Sequence, residues 1–377
     1  LRVLHVIAAY KPAVIYGGPT MSAAMLCEEL TRAGVTVNVY ATTANGTAEL
    51  PVNTSQPQHI DGVTVNYFKR ITKDHTHFSP ALLRSLWKNV SSFDVVHIHA
   101  WWNLVSVFAC MIAIFKKVPV VVSPRGTLSP YSFSNRNTGP KKLIHQFFGE
   151  PYLNKSHIHT TSRHETDAIL KLIKPLSITA LPNFVKLSEP KQQADTISSP
   201  QLKLLFFSRI EEKKGLDILL EALKLVEAPY HLTIAGDGDA AYINYLKELS
   251  INIAHRITWA GFYGDDKFDL IKQHDLLVLP SYDENFGNVV IESLSMGTAV
   301  LISEHVGLAD YVSNNQLGWI CKTSARSVAD AIVNISQNHR EDLNKIRQTA
   351  PAIVRNDFTG KALVKKYIAL YQQIAGK

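Results

Sequence analysis

The chain has 377 residues, enough for two domains, and its 46% hydrophobic and 19% charged content excludes long disorder. Its net charge of +7 is unevenly spread: residues 1–200 hold 20 Lys and Arg against 11 Asp and Glu, residues 201–377 hold 19 against 21. Cys27, Cys110 and Cys321 are too far apart for a disulfide framework or a zinc site, and no apolar run reaches the roughly 18–20 residues of a membrane span.

Leu1 to Ala8 reads as a strand, with no basic segment or cleavage site before it, so the expectation is a cytoplasmic protein without a signal peptide. Tyr16-Gly17-Gly18-Pro19-Thr20 then makes a tight turn into a helix over Thr20–Ala33. Strands follow at Val35–Thr42, Val63–Phe68, Val95–His99, Val118–Ser123 and Ile158–Thr161, with helical patterns between several of them. Leu104 to Phe115 reads as a buried helix. Lys186–Pro200 is polar and Pro-containing and reads as a linker. A second series follows: strand Lys203–Ser208, helix Gly215–Val226, strands His231–Ala235, Ile257–Ala260 and Leu276–Leu279, helix Asn288–Met296, strand Ala299–Ser303, and a last helix over Gly360–Ala375. Alternation of this kind predicts two doubly wound α/β units, each a parallel sheet covered by helices. Ligands of such sheets sit at the carboxyl ends of the strands, often between domains.

Glu284-Asn285-Phe286-Gly287-Asn288-Val289-Val290-Ile291-Glu292 is the most informative stretch. Gly287 permits close backbone approach, and the free amides of Asn288 and Val289 open a helix, a ready anion site. Glu292, one turn in, can reach a ribose diol; Glu284 can reach a sugar hydroxyl. Arg209 and Lys214 follow the first strand of the second half and can converge on a diphosphate, whereas Glu211, Glu212 and Lys213 read as a solvated charge run. Gly17 and Gly18 suit either a phosphate at a helix start or a plain turn.

In Val95-Val96-His97-Ile98-His99-Ala100-Trp101-Trp102 the two histidines share a face. Packing is the ordinary fate of His97. His99, at the strand end, is the better candidate for chemistry, and a metal pair would lack third and fourth ligands nearby. Ser123-Pro124-Arg125 begins a loop through Tyr131, Arg136, Lys141 and Lys142, a basic rim that suits a phosphorylated acceptor or plain solvent. Gly236-Asp237-Gly238-Asp239-Ala240-Ala241 fits the G-x-G-x-x-A dinucleotide pattern, but it does not follow the first strand of its half, and two Asp would repel a pyrophosphate.

The Glu284…Glu292 spacing, Arg209…Lys214-Gly215, Gly17-Gly18, His97-x-His99 and Leu181-Pro182-Asn183 together resemble the family-four retaining glycosyltransferases of bacterial polysaccharide synthesis, over nearly the whole chain. The resemblance implies the GT-B fold: an acceptor-binding Rossmann-like domain over 1–186, a linker at 187–200, and a nucleotide-sugar domain over 201–358. The helix at 359–377 crosses back to the first domain. It implies that Arg209 and Lys214 stabilise the departing diphosphate, that Glu284 meets the donor sugar, and that Glu292 holds the ribose. Asn285, Phe286, Gly287, Asn288, Val289, Gly17 and Gly18 would complete the donor site, with Phe262 and Tyr263 framing the base. His99 would lie beside the donor sugar, with Trp101, Arg125, Tyr131 and Asn183 toward the acceptor. No divalent metal or other cofactor is expected, since fixed cations and helix amides take that place. Ser208 and Phe184 stand where the family often has Gly.

The expected activity is retaining transfer of a hexose, from UDP-hexose by family frequency, to a glycan hydroxyl, the glycan carried on a polyprenyl diphosphate. The basic half then suits an anionic inner membrane face and peripheral attachment there. Nucleic acid is not an expected partner, because no basic-aromatic interleaving is present. A non-hydrolysing sugar-nucleotide epimerase, a glycogen or sucrose-type synthase, and a non-catalytic nucleotide-sugar-binding subunit are the alternatives.

Overall fold

The structure is a computed structural model and describes residues 1–129, 131, 145–188, 196–264 and 266–377. The chain divides into two compact units, one of Leu1–Phe184 with Phe358–Lys377, the other of Val185–Asp357.

Unit 1 holds strands β1 (Arg2–Ile7), β2 (Thr36–Thr42), β3 (Ala44–Asn45), β4 (Ala48–Glu49), β5 (Gln58–Ile60), β6 (Val63–Phe68), β7 (Val95–His99), β8 (Val120–Ser123), β9 (His157–Thr160) and β10 (Ser177–Ala180). Eight form one sheet in the order β10-β9-β8-β7-β1-β2-β6-β5, while β3 and β4 pair alone. All neighbours in the large sheet run parallel except β5 with β6. β7 is buried at every residue, as a strand covered on both faces must be. Alternation along β1 sends Val3 and Ile7 into one core cluster and Leu4 and Val6 into the other.

The helices of unit 1 start where the sequence supplies an acceptor for their first amides. Ser79, Asn103 and Ser162 cap the helices Pro80–Asn89, Leu104–Phe115 and Arg163–Leu170. Helix Gly18–Arg32 starts instead at Gly17, whose φ of +65° only glycine adopts at little cost. The last helix, Gly360–Ala375, lies on the core face of Val3 and buries Leu363, Val364, Tyr367, Leu370 and Tyr371. Five such side chains contribute on the order of 10 kcal/mol before chain entropy is subtracted. Helix Leu104–Phe115 is less buried than its composition predicts: Val105, Ala109, Cys110 and Ala113 face the core, while Leu104 and Phe115 are exposed.

Unit 2 holds β11 (Leu202–Phe207), β12 (Tyr230–Ala235), β13 (Ile257–Gly261), β14 (Leu276–Leu279), β15 (Ala299–Ser303) and β16 (Gly318–Cys321). They form one parallel sheet, ordered β13-β12-β11-β14-β15-β16. Numbered within the unit this is 3-2-1-4-5-6, the Rossmann order, and the direction of winding reverses between β11 and β14. Within the segment expected to be a linker, residues 189–195 lie outside the described residues. Its end is stitched to helix Arg340–Phe358: Ile197 and Asn344 exchange two hydrogen bonds, and Arg340 donates to Ser199 O at 2.7 Å.

Candidate functional site

The reversal point of unit 2 gathers charged side chains from both of its strands. After β11 the chain makes a short turn, Glu212–Lys214, and reaches Gly215 at φ +69°. A Cβ there would sit 2.2 Å from the carbonyl oxygen of Pro280, so only glycine lets this loop lie against the end of β14. The contact brings Lys214 onto Glu284, and their side chains form an ion pair that is mostly shielded from water. The Glu284 backbone is fixed as well. Its N–H donates to His305 O at 3.2 Å, and its carbonyl accepts from Gly307 N–H at 2.8 Å. Burial pushes the Glu284 carboxyl up, but Lys214, then Lys213 and Arg209, outweigh it and hold the group below the usual carboxylate range.

Lys213 is not the solvated residue its charge run suggests. It is half-buried, its carbonyl accepts from Tyr282 N–H at 2.8 Å, and burial with the adjacent Lys214 lowers its pKa. Arg209 is more open, with Nη1 2.9 Å from Glu211 Oε1. Three cations thus surround one carboxylate at the carboxyl edge of the sheet, a field suited to a diphosphate.

Gly287, at φ +91°, opens helix Asn288–Ser295. Its missing Cβ would crowd Val306, Val290 and Glu284 at 3.2–3.5 Å. The amides of Asn288 and Val289 lie in the first turn, where the helix dipole favours an anion. Glu292 is buried one turn on, and Lys267 Nζ donates to its Oε1 at 2.7 Å. Asn285 is half-buried. Phe286 is 2% exposed, so its ring serves the core and only its backbone is left to meet a ligand. Phe262 is exposed and Tyr263 half-buried in the loop after β13.

The G-x-G pattern has a structural cause. Cβ atoms at Gly236 and Gly238 would lie 1.9 and 2.2 Å from the carbonyl oxygens of Ser208 and Ile210. These glycines let the turn after β12 pack on the loop that carries Arg209.

Unit 1 reverses its winding between β1 and β7, and there a cluster of buried histidines crosses the sheet. His5 on β1 pairs in register with His97 on β7. His5 Nδ1 is 2.9 Å from His99 Nε2, and Arg125 Nε donates to His99 Nδ1 at 3.3 Å. His97 meets the Tyr371 hydroxyl at 2.7 Å through Nδ1 and Ser123 Oγ at 2.6 Å through Nε2. Ser123 Oγ is 2.6 Å from His159 Nδ1, and His159 Nε2 is 2.9 Å from Leu181 O. Burial, then Arg125, brings His5 and His159 down to about 3. Burial, its histidine neighbours and Arg125 hold His97 and His99 well below the ordinary value too. All four are neutral at pH 7.

His99 and His97 are both fully buried, so the strand end does not separate a chemical histidine from a packing one. His5 supplies the third nearby nitrogen that spacing left out: ligand atoms of His5, His97 and His99 lie within 4.8 Å of one another. The donor set does not fit a metal. His99 accepts from a guanidinium on one nitrogen and bonds His5 with the other, where a metal-bound imidazole would donate its second N–H to an acceptor. The Arg125 charge beside it opposes a second cation.

Arg125, at φ +53°, also donates through Nη1 to Asn183 Oδ1 at 2.9 Å, so these two acceptor-side candidates do come together. Trp101 does not join them. It is fully buried in the core cluster with Leu82, Leu86 and Ala109, and its indole is packing rather than a platform for an acceptor. Tyr131 is half-buried; Arg136, Lys141 and Lys142 lie outside the described residues. Gly17 and Gly18 form the start of the first helix, as the turn chemistry predicts.

Sequence reasoning missed His5, His159, Tyr371 and Lys267. His5 had a readable signal, a polar residue inside an otherwise apolar strand. Lys267 had none, because its meaning comes from Glu292.

Two family models match the chain: "Glycosyltransferase Family 4" over residues 16–189 and "Glycosyl transferases group 1" over residues 201–338. Glycogen synthase of Mycobacterium tuberculosis is 28% identical over 238 residues, covering 60% of this chain and 56% of that one. AmsK of Erwinia amylovora, named an amylovoran biosynthesis glycosyltransferase, is 23% identical over 192 residues, 48% of this chain and 47% of its own. The chain spans between about a quarter and about four fifths of the length of the curated relatives it matches, and only about a third of two of them. Anabaena HepE, solved with UDP-glucose, superposes with a TM-score of 0.73 at 17% identity, covering 99% of both chains. That likeness shows the GT-B fold.

Proposed function

From the premise that this chain belongs to the family-four GT-B glycosyltransferases, we propose that it transfers a hexose from a nucleotide sugar to a glycan hydroxyl with retention at the anomeric carbon. The observation that carries this reading is the Lys214–Glu284 ion pair, set at the winding reversal of unit 2 beside the Gly287-capped helix.

The chemistry follows from charge. Cleavage of the anomeric C–O bond leaves negative charge on the diphosphate and positive charge on the ring. Arg209, Lys214 and the amides of Asn288 and Val289 address the first, with Lys213 adding to the same field. Glu284, held ionised, lies close enough to Lys214 to act on the donor sugar. Glu292 offers acceptor oxygens for the ribose diol. These fixed cations and amides supply the charge stabilisation a divalent metal would otherwise give, so the proposed transfer is metal-independent. Front-side displacement fits, with the leaving phosphate taking the acceptor proton.

UDP-hexose is the proposed donor; the UDP-glucose complex of HepE supports it. A cell-surface glycan on a polyprenyl diphosphate is the proposed acceptor, and the amylovoran role in the name of AmsK supports the polysaccharide part. Peripheral attachment to an anionic inner leaflet is part of the same proposal. No helix of the described residues is long and apolar enough to cross a membrane. Leu104, Phe108, Met111 and Phe115 instead recur on one stripe of a surface helix. The exposed Trp87 ring stacks on Phe115 at 5.2 Å, and Lys116 Nζ lies 4.3 Å from the Trp87 ring. Arg84, Lys88 and Lys117 are exposed nearby, the mix of aromatic and basic residues that interfacial surfaces use.

A thermal-shift comparison of UDP-, GDP- and ADP-hexoses, followed by UDP release in the presence of glycan acceptor, tests the reading. Stabilisation by UDP-hexose is expected, as is acceptor-dependent release that Lys214→Ala abolishes. Equal activity in that variant would overturn the assignment.

A further inference from the structure

The buried histidines of unit 1 have hydrogen-bond partners that fix where every proton sits. An arginine N–H can only donate, so the Arg125 contact makes His99 Nδ1 an acceptor. Neutral His99 then carries its proton on Nε2 and donates to His5 Nδ1. His5 is left with its own proton on Nε2, a buried atom with no partner among the described residues.

A second run is equally determined. A carbonyl can only accept, so His159 donates from Nε2 to Leu181 O and accepts on Nδ1 from the Ser123 hydroxyl. With that proton used, Ser123 accepts from His97 Nε2–H, and His97 Nδ1 accepts from the Tyr371 hydroxyl. Tyr367 donates to Pro182 O at 3.1 Å and shares the His159 proton at 3.0 Å. The two runs touch through the His97 and His99 rings, 4.2 Å apart.

We propose that Arg125 is a positioning residue: its Nε–H locks His99, and through His99 also His5, in the Nε2–H tautomer, so that His99 is a fixed neutral element and not a proton acceptor. Both His99 nitrogens are occupied, and a proton could enter only by breaking the bond to Arg125 or reversing the bond to His5. The groups that face His99 reinforce this. They are His5 on β1, His97 on β7, Ser123 in register on β8, Arg125 just after it and, at longer range, His159 on β9; Tyr371 on the last helix reaches the cluster through His97. Glu165 and Cys27 act at longer range on Arg125, and neither offers His99 a negative partner at hydrogen-bond distance among the contacts described. The role differs from acceptor binding by Arg125, because it is exerted on the protein's own histidines.

The test uses the full chain with 15N-labelled histidine. Its resonances would be identified by comparison with His99→Gln and His5→Gln, and followed by long-range proton–nitrogen correlation from pH 8 to pH 5. Expected are Nε2–H patterns for His99 and His5 with no titration in that range. In Arg125→Met, His99 should pass to a mixed or Nδ1–H pattern, while His159 keeps its pattern. Arg125→Lys, which retains a donor, should return His99 toward the Nε2–H form. A wild-type His99 in the Nδ1–H or protonated form overturns the proposal, and so does an unchanged His99 in a folded Arg125→Met. If Arg125→Met does not fold, the wild-type spectrum alone decides. No readout needs a glycosyl donor, so failure of the transfer reading leaves this test intact.

Discussion

Lys214 and Glu284 leave different strands of one sheet, β11 and β14, and close an ion pair over the point where its winding reverses. The pair is mostly buried, and Lys214 holds the Glu284 carboxyl ionised. Lys214→Met should leave a half-buried carboxylate without its main cation, and transfer should fall by about 100-fold or more. Unit 2 should also lose stability, because an unpaired buried charge is costly. The double variant Lys214→Met with Glu284→Gln should recover the melting temperature but not the activity. Recovery of both would mean that the pair is only structural.

Lys267 makes a separate, milder prediction. From the preceding helix, Lys267–Lys272, it holds the Glu292 carboxylate at 2.7 Å. Lys267→Met should raise KM for the nucleotide sugar several-fold with a smaller change in kcat, read from initial rates of UDP release. A fall in kcat alone would place Lys267 nearer the reacting bond.

Two glycines with nearly the same φ should respond differently to alanine. Gly17, at φ +65° and ψ −142°, has no atom within 4 Å of the added Cβ, so Gly17→Ala should cost backbone strain alone, about 2 kcal/mol. Gly215 at +69° would meet Pro280 O at 2.2 Å, so Gly215→Ala adds a clash with main chain and should cost about 3 kcal/mol or prevent folding of unit 2. Urea unfolding of the two variants gives the comparison, and equal costs would refute it.

Acid should weaken unit 1 earlier than ordinary carboxylate titration would. Folded His5, His97, His99 and His159 have pKa values depressed by burial, the first and last to about 3, while unfolded histidine titrates near 6.5. Below pH 6.5 the unfolded chain therefore binds more protons than the folded one. For His5 and His159 the stability is full above that point and falls with pH down to about 3, by about 1.4 kcal/mol per pH unit each, and the depressed His97 and His99 add to the same fall. Replacing His5 and His159 with Gln should flatten the slope of unfolding free energy between pH 7 and pH 5. An unchanged slope would show that the cluster does not govern it.

Attachment to an anionic bilayer should need both the aromatic pair and the charge. Vesicles containing phosphatidylglycerol should bind the protein at low salt and release it at high salt. Trp87→Ser with Phe115→Ser should weaken binding at every salt concentration, whereas Lys116→Gln with Lys117→Gln should mainly reduce the salt dependence. Equal binding to neutral vesicles would remove the electrostatic part.

The inner strands were legible because burial on both faces demands unbroken runs of Val, Ile and Leu; β7, β14 and β15 have the expected bounds. β10, Ser-Ile-Thr-Ala at the sheet edge, was not legible, since a half-buried edge strand carries no such run. Around unit 2 the residues Lys214, Glu284 and Glu292 were readable because each follows a strand beside a glycine. Lys213 was misread because a run of charges gives no hint of which member turns inward. Trp101 looked like part of a site by its place after a strand, but the chain turns at Ala100, at φ +64°, and the indole enters the core. His5 stood out as a polar residue in an apolar strand, but its partner His97 follows only from the register of β1 with β7, which no local pattern encodes.

The interrupted makeup of unit 1 also sets an order of events during synthesis. The Tyr371 hydroxyl closes on His97, 274 positions earlier, and all of unit 2 lies between them in the chain. A ribosome therefore releases the whole of unit 2 before it releases the helix that finishes unit 1. Until then the face of β1 and β7 that carries His5 and His97 lacks its cover. The domain that begins first is completed last, and for that interval its open face is what a nascent-chain chaperone would meet.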